Sequence, residues 1–136
     1  PTPRYFRKPN RKLIRKTYEY KSNKLHFGNY GLQATQRGFL TVRQIEAVRR
    51  TITGRLKRKG KVWIRAFPDY ARTAKPKEVR MGRGKGNVDH WVCIIKPGRI
   101  LFEVKSRDEA SVKDALEFTT RKLPIKTQVI SRALKI

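Results

Sequence analysis

Residues 88–104 read VDHWVCIIKPGRILFEV. Two apolar runs flank Pro97-Gly98, a pair suited to the centre of a type II turn, because proline presets φ and glycine accepts a positive one. The first run is apolar on both faces, as expected of a strand covered on both sides. The stretch therefore predicts a β-hairpin in the middle of a sheet.

Working outward, residues 80–87 (RMGRGKGN) form a glycine-rich loop that leads into the first strand. Upstream, residues 69–79 (DYARTAKPKEV) read as a polar connection. Residues 61–67 (KVWIRAF) read as a strand of β-branched and aromatic residues ended by Pro68. Residues 41–60 (TVRQIEAVRRTITGRLKRKG) give the clearest helix. Thr41 with Gln44 fits a capping box, and Gly60 fits a terminator. Val42, Ile45, Val48, Ile52 and Leu56 make one apolar stripe, while Arg43, Arg50 and Lys57 fall on the opposite side. Gly54 lies near that cationic line. It marks either close approach of a phosphate or a tolerated glycine near the helix end. Residues 25–34 (LHFGNYGLQA) suggest another hairpin around Gly28–Gly31.

Downstream, residues 106–123 (SRDEASVKDALEFTTRKL) read as a second helix, with Ser106 and Glu109 as its capping box. Its inner stripe is Val112, Leu116, Thr119 and Leu123, and Pro124 follows its end. KTQVI (126–130) reads as a last strand. The predicted class is α+β: an antiparallel or mixed sheet with two helices packed on it, an α/β sandwich. The expected organisation is a basic arm over 1–24 and one domain over 25–136, with the loop 78–87 projecting.

The 136 residues hold 35 Lys and Arg against 10 Asp and Glu, a formal charge of +25. Such a chain repels itself unless a polyanion neutralises it. Nucleic acid is the leading partner, and an anionic membrane surface the second. The longest apolar run, WVCII, is too short to cross a bilayer, and no signal-peptide pattern is seen. One cysteine fits a reducing or redox-neutral compartment. Residues 1–24 carry nine cations and one acid, Glu19. Tyr5, Phe6, Tyr18 and Tyr20 are interleaved with those cations, placed either to stack on bases or to tuck onto the domain. Glu103, Asp108, Glu109, Asp114 and Glu117 hold half of the acids, and are expected on a side facing away from the polyanion.

Enzyme chemistry finds no support. The loop lacks the P-loop spacing, no hydroxyl follows its lysine, and it runs into a strand rather than a helix. The dinucleotide fingerprint fails because Asn87 stands where a third glycine is needed. His90 and Cys93 differ by an odd number along a strand, so they point to opposite faces and form no dyad. His90 reads instead as hydrogen-bonded or RNA-facing. Cys93, His26 and His90 do not make a zinc set. What remains is phosphate contact without chemistry: Arg80, Arg83 and Lys85 supply charge, the glycines allow close approach, and Met81 forms a supple tip.

RMGRGKGN, with GKVWIRAFPD, LTVRQIEAVRR, KPGRILFEV and KLPIKT in this order, closely resembles the family of bacterial-type ribosomal protein sixteen of the large subunit, which includes archaeal and eukaryotic protein ten-e. The resemblance runs from about Phe6 to Thr127. It implies an α+β sandwich docked on large-subunit rRNA near the transfer-RNA sites, late entry into assembly, and no enzymatic activity. It also implies a glycine loop reaching toward the peptidyl-transferase region. Aminoacyl-site transfer RNA would be a contact, with peptidyl-site transfer RNA as a further candidate. On matching positions, Arg80, Met81, Gly82, Gly84, Lys85 and Gly86 take the family's loop, Arg43, Arg49 and Arg50 its first-helix arginines, and Arg7 and Lys8 its arm motif. Residues 9–24, the 69–79 connection and VKSRDEASV depart from the bacterial pattern. With DHW before the core strand, they favour a mitochondrial member over a plastid or bacterial cytoplasmic one.

The expected rRNA-binding set is therefore Arg4, Arg7, Lys8, Arg11, Lys12, Arg43, Arg49, Arg50, Lys57, Arg58, Lys61 and Arg65. The loop Arg80, Met81, Gly82, Arg83, Gly84, Lys85 and Gly86 lies near rRNA and transfer RNA. Neighbouring ribosomal proteins complete the partners. No cofactor is expected beyond structural magnesium held by the RNA, and neither a membrane nor a small-molecule substrate. The alternative is a free-standing RNA-binding assembly factor or RNA chaperone.

Overall fold

The Pro97-Gly98 turn forms, but it joins two sheets rather than two paired strands. The computed structural model describes residues 17–82 and 84–132. Its elements in chain order are β1 (Tyr30–Ala34), β2 (Gly38–Thr41), α1 (Val42–Arg55), β3 (Lys61–Ile64), β4 (Tyr70–Ala74), β5 (Asn87–Ile95), β6 (Ile100–Lys105), α2 (Glu109–Thr120) and β7 (Thr127–Ser131). One sheet has the order β3-β6-β1-β7 and the other β2-β5-β4; every pairing is antiparallel. The α+β class with two helices thus holds, with the strands divided between two sheets.

The predicted hairpin of 88–104 is corrected by this topology. β5 is paired on both edges by β2 and β4, and β6 by β3 and β1. Both edges of β6 are taken, while beside the turn β5 is paired by β2 alone, since β4 reaches only to Val92; the turn carries the chain from one sheet to the other. The turn itself has the expected chemistry. Arg99 N donates to Lys96 O at 3.2 Å, and Gly98 sits at φ +92°, where an L side chain is strained. A Cβ there would also collide with the ring of Tyr18. The preceding chain is laced to this turn: Glu19 N donates to Pro97 O at 2.9 Å and Ile100 N to Ser22 O at 2.8 Å.

The hairpin expected around Gly28 is absent, because the backbone there has a different task. Glu103 on β6 is fully buried, not on a solvent face as its sequence neighbourhood suggested. Its carboxylate accepts from the N–H groups of His26 at 3.1 Å, Phe27 at 2.6 Å and Gly28 at 2.8 Å. Arg65 Nη1 donates to its other oxygen at 2.7 Å. Residues 26–28 are thus a backbone nest wrapped round an anion. The polar connection of 69–79 contains β4, an edge strand missed because its buried face is carried only by Ala71.

α2 packs on β1 and β7 of the four-stranded sheet, α1 packs on β3 of that sheet and on β2 and β5 of the other, and the helices pack on each other. Leu32, Phe102 and Val104 meet Ile45, Val48, Ile52, Val112, Ala115 and Leu116 in one core. Such side chains contribute about 1.5–3 kcal/mol each when fully buried. Arg55 ties the helices at the surface, 2.7 Å from Asp114 and 3.6 Å above the Phe118 ring. Val42 was assigned to the inner stripe but is 48% exposed, at the first turn where the helix leaves the sheet. The start of α2 also differs: Asp108, not Ser106, is its N-cap, accepting from Ser111 N at 3.3 Å. Ser106 Oγ instead donates to Lys59 O at 3.1 Å, which ties the two connections together.

Candidate nucleic-acid interface

α1 is set in register by its N-terminus. Thr41 Oγ1 accepts from Gln44 N at 3.3 Å, and Gln44 Oε1 accepts from Thr41 N at 2.9 Å. That registration sends Ile45, Val48 and Ile52 into the core and leaves Arg43 and Arg50 exposed. Arg49 and Arg50 share one acid. Arg49 meets Glu46 with Nε at 2.9 Å and Nη2 at 2.6 Å, and Arg50 Nε reaches it at 3.1 Å. Hydrogen bonding from Arg49, reinforced by Arg50 and opposed by partial burial, pulls Glu46 down to about 2. The triad is therefore ionised throughout the neutral range and keeps one net positive charge. Gly54 is exposed, and a Cβ there would meet nothing within 4 Å. The protein's own packing does not require this glycine.

The helix ends before Gly60, contrary to expectation. Leu56 is the C-cap, Lys57 N donates to Gly54 O and Arg58 N to Thr53 O, both at 3.1 Å. This is the Schellman pattern, with Lys57 at φ 51° where glycine is usual and Arg58 at φ 60° beside it. The reversal exposes Lys57, Arg58, Lys59 and Lys61 on one short connection. Arg49 and Arg58 flank a shallow groove of about 320 Å³ floored by Leu56, Val62 and Ile64. Arg65 is not part of this surface. Its side chain is 14% exposed, and besides Glu103 it donates to Lys24 O at 2.6 Å. Arg65 therefore serves the scaffold.

The glycine loop joins β4 to β5 at the far end of the three-stranded sheet. Gly86 enters β5 against Ala74, whose carbonyl oxygen a Cβ would strike. Gly82 and Gly84 have φ of +110° and +85°, with open space around them. Lys75 Nζ donates to Gly82 O, folding the loop back on its stem. Met81 is wholly exposed, and Arg80 and Lys85 are exposed beside it. Arg83 lies outside the described residues, as do Arg4, Arg7, Lys8, Arg11 and Lys12 of the arm, with Tyr5 and Phe6. Of the other two arm aromatics, Tyr18 lies on Gly98, while Tyr20 is 80% exposed and edge-on to Tyr18 at 6.1 Å.

Burial pushes the Cys93 thiol up. His90 stands exposed on the opposite face of β5, with Nδ1 2.7 Å from Asp89. Among the described residues no group of three or more His, Cys, Asp or Glu is placed to hold a metal ion. Nor is any helix there long and apolar enough to cross a membrane. An aromatic pair escaped the sequence reading: the exposed Phe27 stacks on the half-buried Trp63 with centroids 5.9 Å apart. Their 36-residue separation hides the pairing; each alone reads as part of a strand or turn.

Exposed cations on a helix, a connection and a glycine loop, with no assembled catalytic group among the described residues, make a surface for a polyanion. Comparison with known proteins gives the same direction. The family model for ribosomal protein L16p/L10e matches residues 1–130. The chain is 49% identical over 133 residues to large ribosomal subunit protein uL16 of Thioalkalivibrio sulfidiphilus, covering 93% of this chain and 97% of the relative. It is 49% identical over 130 residues to uL16 of Buchnera aphidicola (91% and 96%) and 46% identical over 133 residues to uL16 of Aeromonas hydrophila (93% and 97%). With near-complete coverage in both directions and the loop, helix and core blocks in place, the chain belongs to the ribosomal protein L16p/L10e family.

Proposed function

We propose that this chain orders large-subunit rRNA through three cationic features: the arm, the outer face of α1 with the 57–61 connection, and the glycine loop. The chain is a structural constituent of the large ribosomal subunit and not an enzyme. It binds rRNA and neighbouring ribosomal proteins in that setting. The observation that carries the finer reading is the separation of charge. Arg43, Arg50, Lys57, Arg58, Arg80 and Lys85 are exposed, whereas Arg65 is turned inward onto Glu103. Phosphate contacts supply affinity, and the loop supplies shape fit rather than a base code.

The loop tip, Met81 with Arg80, is proposed to reach the neighbourhood of transfer RNA at the aminoacyl site. Replacing Arg80, Arg83 and Lys85 together by alanine tests this. The variant should fold with an unaltered melting temperature but slow subunit maturation or transfer-RNA accommodation. Unchanged maturation and translation would remove the loop from the mechanism. Sedimentation separates the alternative class: a structural constituent stays stoichiometric with mature subunits in moderate salt, while an assembly factor is found on precursors alone. A mitochondrial location is also proposed, on the departures in residues 9–24 and DHW. The three relatives named above are bacterial, and recovery of the chain in purified organelles is the deciding measurement.

A further inference from the structure

Phe27 is 54% exposed although its backbone is pinned to a buried carboxylate. Its ring lies nearly parallel to Trp63, at 20°, with His26 edge-on at 6.5 Å. Trp63 and Lys61 share one face of β3, and opposite Lys61 on β6 stands Lys105. Two residues along a strand is about 7 Å, so cations stand close to the stacked rings. Lys61 also lines a cleft of about 780 Å³ with Lys59, Lys105 and Arg107, whose lining includes the carboxylates Asp108 and Glu109. Asp108 is engaged by Ser111 as the cap of α2, and Glu109 bonds the Tyr30 hydroxyl. Among the described residues none of the four cations closes an ion pair. Gly60 brings the two connections together: a Cβ there would stand 2.7 Å from Lys105 O.

We propose that Phe27, backed by Trp63, is a stacking platform for one unpaired RNA base, and that the Lys59–Lys61–Lys105–Arg107 cleft takes the phosphate beside it. Flat aromatic surface next to four cations that outnumber the two carboxylates of the cleft suits a splayed-out nucleotide, since every base offers a π-face and every nucleotide a phosphate. A +25 chain favours RNA over a protein partner for this face. The proposal rests on the rRNA-binding reading and adds to it a site selective for single strands.

The test compares the full chain's binding to a single-stranded oligoadenylate and to an RNA duplex of equal length. Phe27→Leu keeps an apolar cover and the N–H bond to Glu103 but removes the ring. It should weaken oligoadenylate binding about 10-fold and duplex binding hardly at all, while Phe27→Tyr should bind like the native chain. Lys61→Gln with Lys105→Gln should reduce the slope of log K against log salt on the oligoadenylate by roughly 0.7, the worth of the one phosphate contact they share. Equal losses on both RNAs, or none in a folded Phe27→Leu variant, would overturn the platform. Should Phe27→Leu fail to fold, the lysine variant decides alone, a drop confined to the oligoadenylate supporting the site and an equal drop refuting it. A native chain that bound neither RNA would sink the rRNA reading as well.

Discussion

Single residues here do work that their type does not announce. Glu103 reads from its neighbours as one more surface acid, yet it is the buried anion around which residues 26–28 and Arg65 are arranged. Burial opposes its ionisation, but the N–H groups of Gly28, Phe27 and His26 and the Arg65 guanidinium outweigh it and hold the carboxyl below its usual range. A lowered folded-state value means that this stabilisation is complete above the unfolded value of about 4.3 and disappears as pH falls through the folded one. Glu103→Gln leaves Arg65 unpaired and should cost about 3–5 kcal/mol in urea unfolding. The variant should also show a flatter acid limb, since one protonation linked to unfolding is gone. Lys57 is the reverse case, a charged residue in a glycine position. Lys57→Gly relieves a left-handed conformation costing about 1–2 kcal/mol, offset by roughly 0.5–1 kcal/mol of added chain entropy. The melting temperature should therefore rise slightly while RNA affinity falls by one cation's contribution.

At the scale of elements, periodicity was a good guide where one face is buried and a poor one elsewhere. α1 is amphipathic and capped as its sequence predicts, and its glycine supplies a clean test. Gly54→Ala should stabilise the isolated chain by less than the ~1 kcal/mol that glycine costs in a helix interior, because Gly54 lies in the last turn of α1 and the added methyl meets nothing. If the outer face of α1 lies against RNA, the same substitution should weaken rRNA binding despite the more stable fold. Thermal unfolding and binding measured together would separate the effects, and parallel gains in both would place the helix away from RNA. β4 and the segment before β1 show the limit of periodicity. β4 is an edge strand with little buried surface, and residues 26–28 follow a carboxylate 75 to 77 residues away rather than a local pattern.

Across the whole molecule, opposite signs are handled in different places. Glu103 and Glu46 are consumed by arginines inside or along the fold, and exposed cations such as Arg43, Lys57, Arg58 and Arg80 present the surplus charge to a polyanion. Affinity for rRNA should thus be dominated by counterion release, with log K falling steeply and linearly against log salt. A shallow slope, below about one phosphate's worth, would contradict the cationic surface as the source of affinity. Composition, helix periodicity and the five ordered blocks made the α+β class, the polyanion partner and the family legible from the amino-acid string, because each depends on local pattern or on totals. They could not tell which strands pair, because edges are matched across the fold. The Pro97-Gly98 turn was visible in the sequence, whereas its role as a corner between two sheets depended on β6 already having β1 and β3 on its two edges and β5 having β2 and β4 as partners. Likewise the chain's positive charge was fixed by its residues, but which cations stay free was decided by the tertiary structure. Arg65 was claimed by a carboxylate that only folding brings within 2.7 Å.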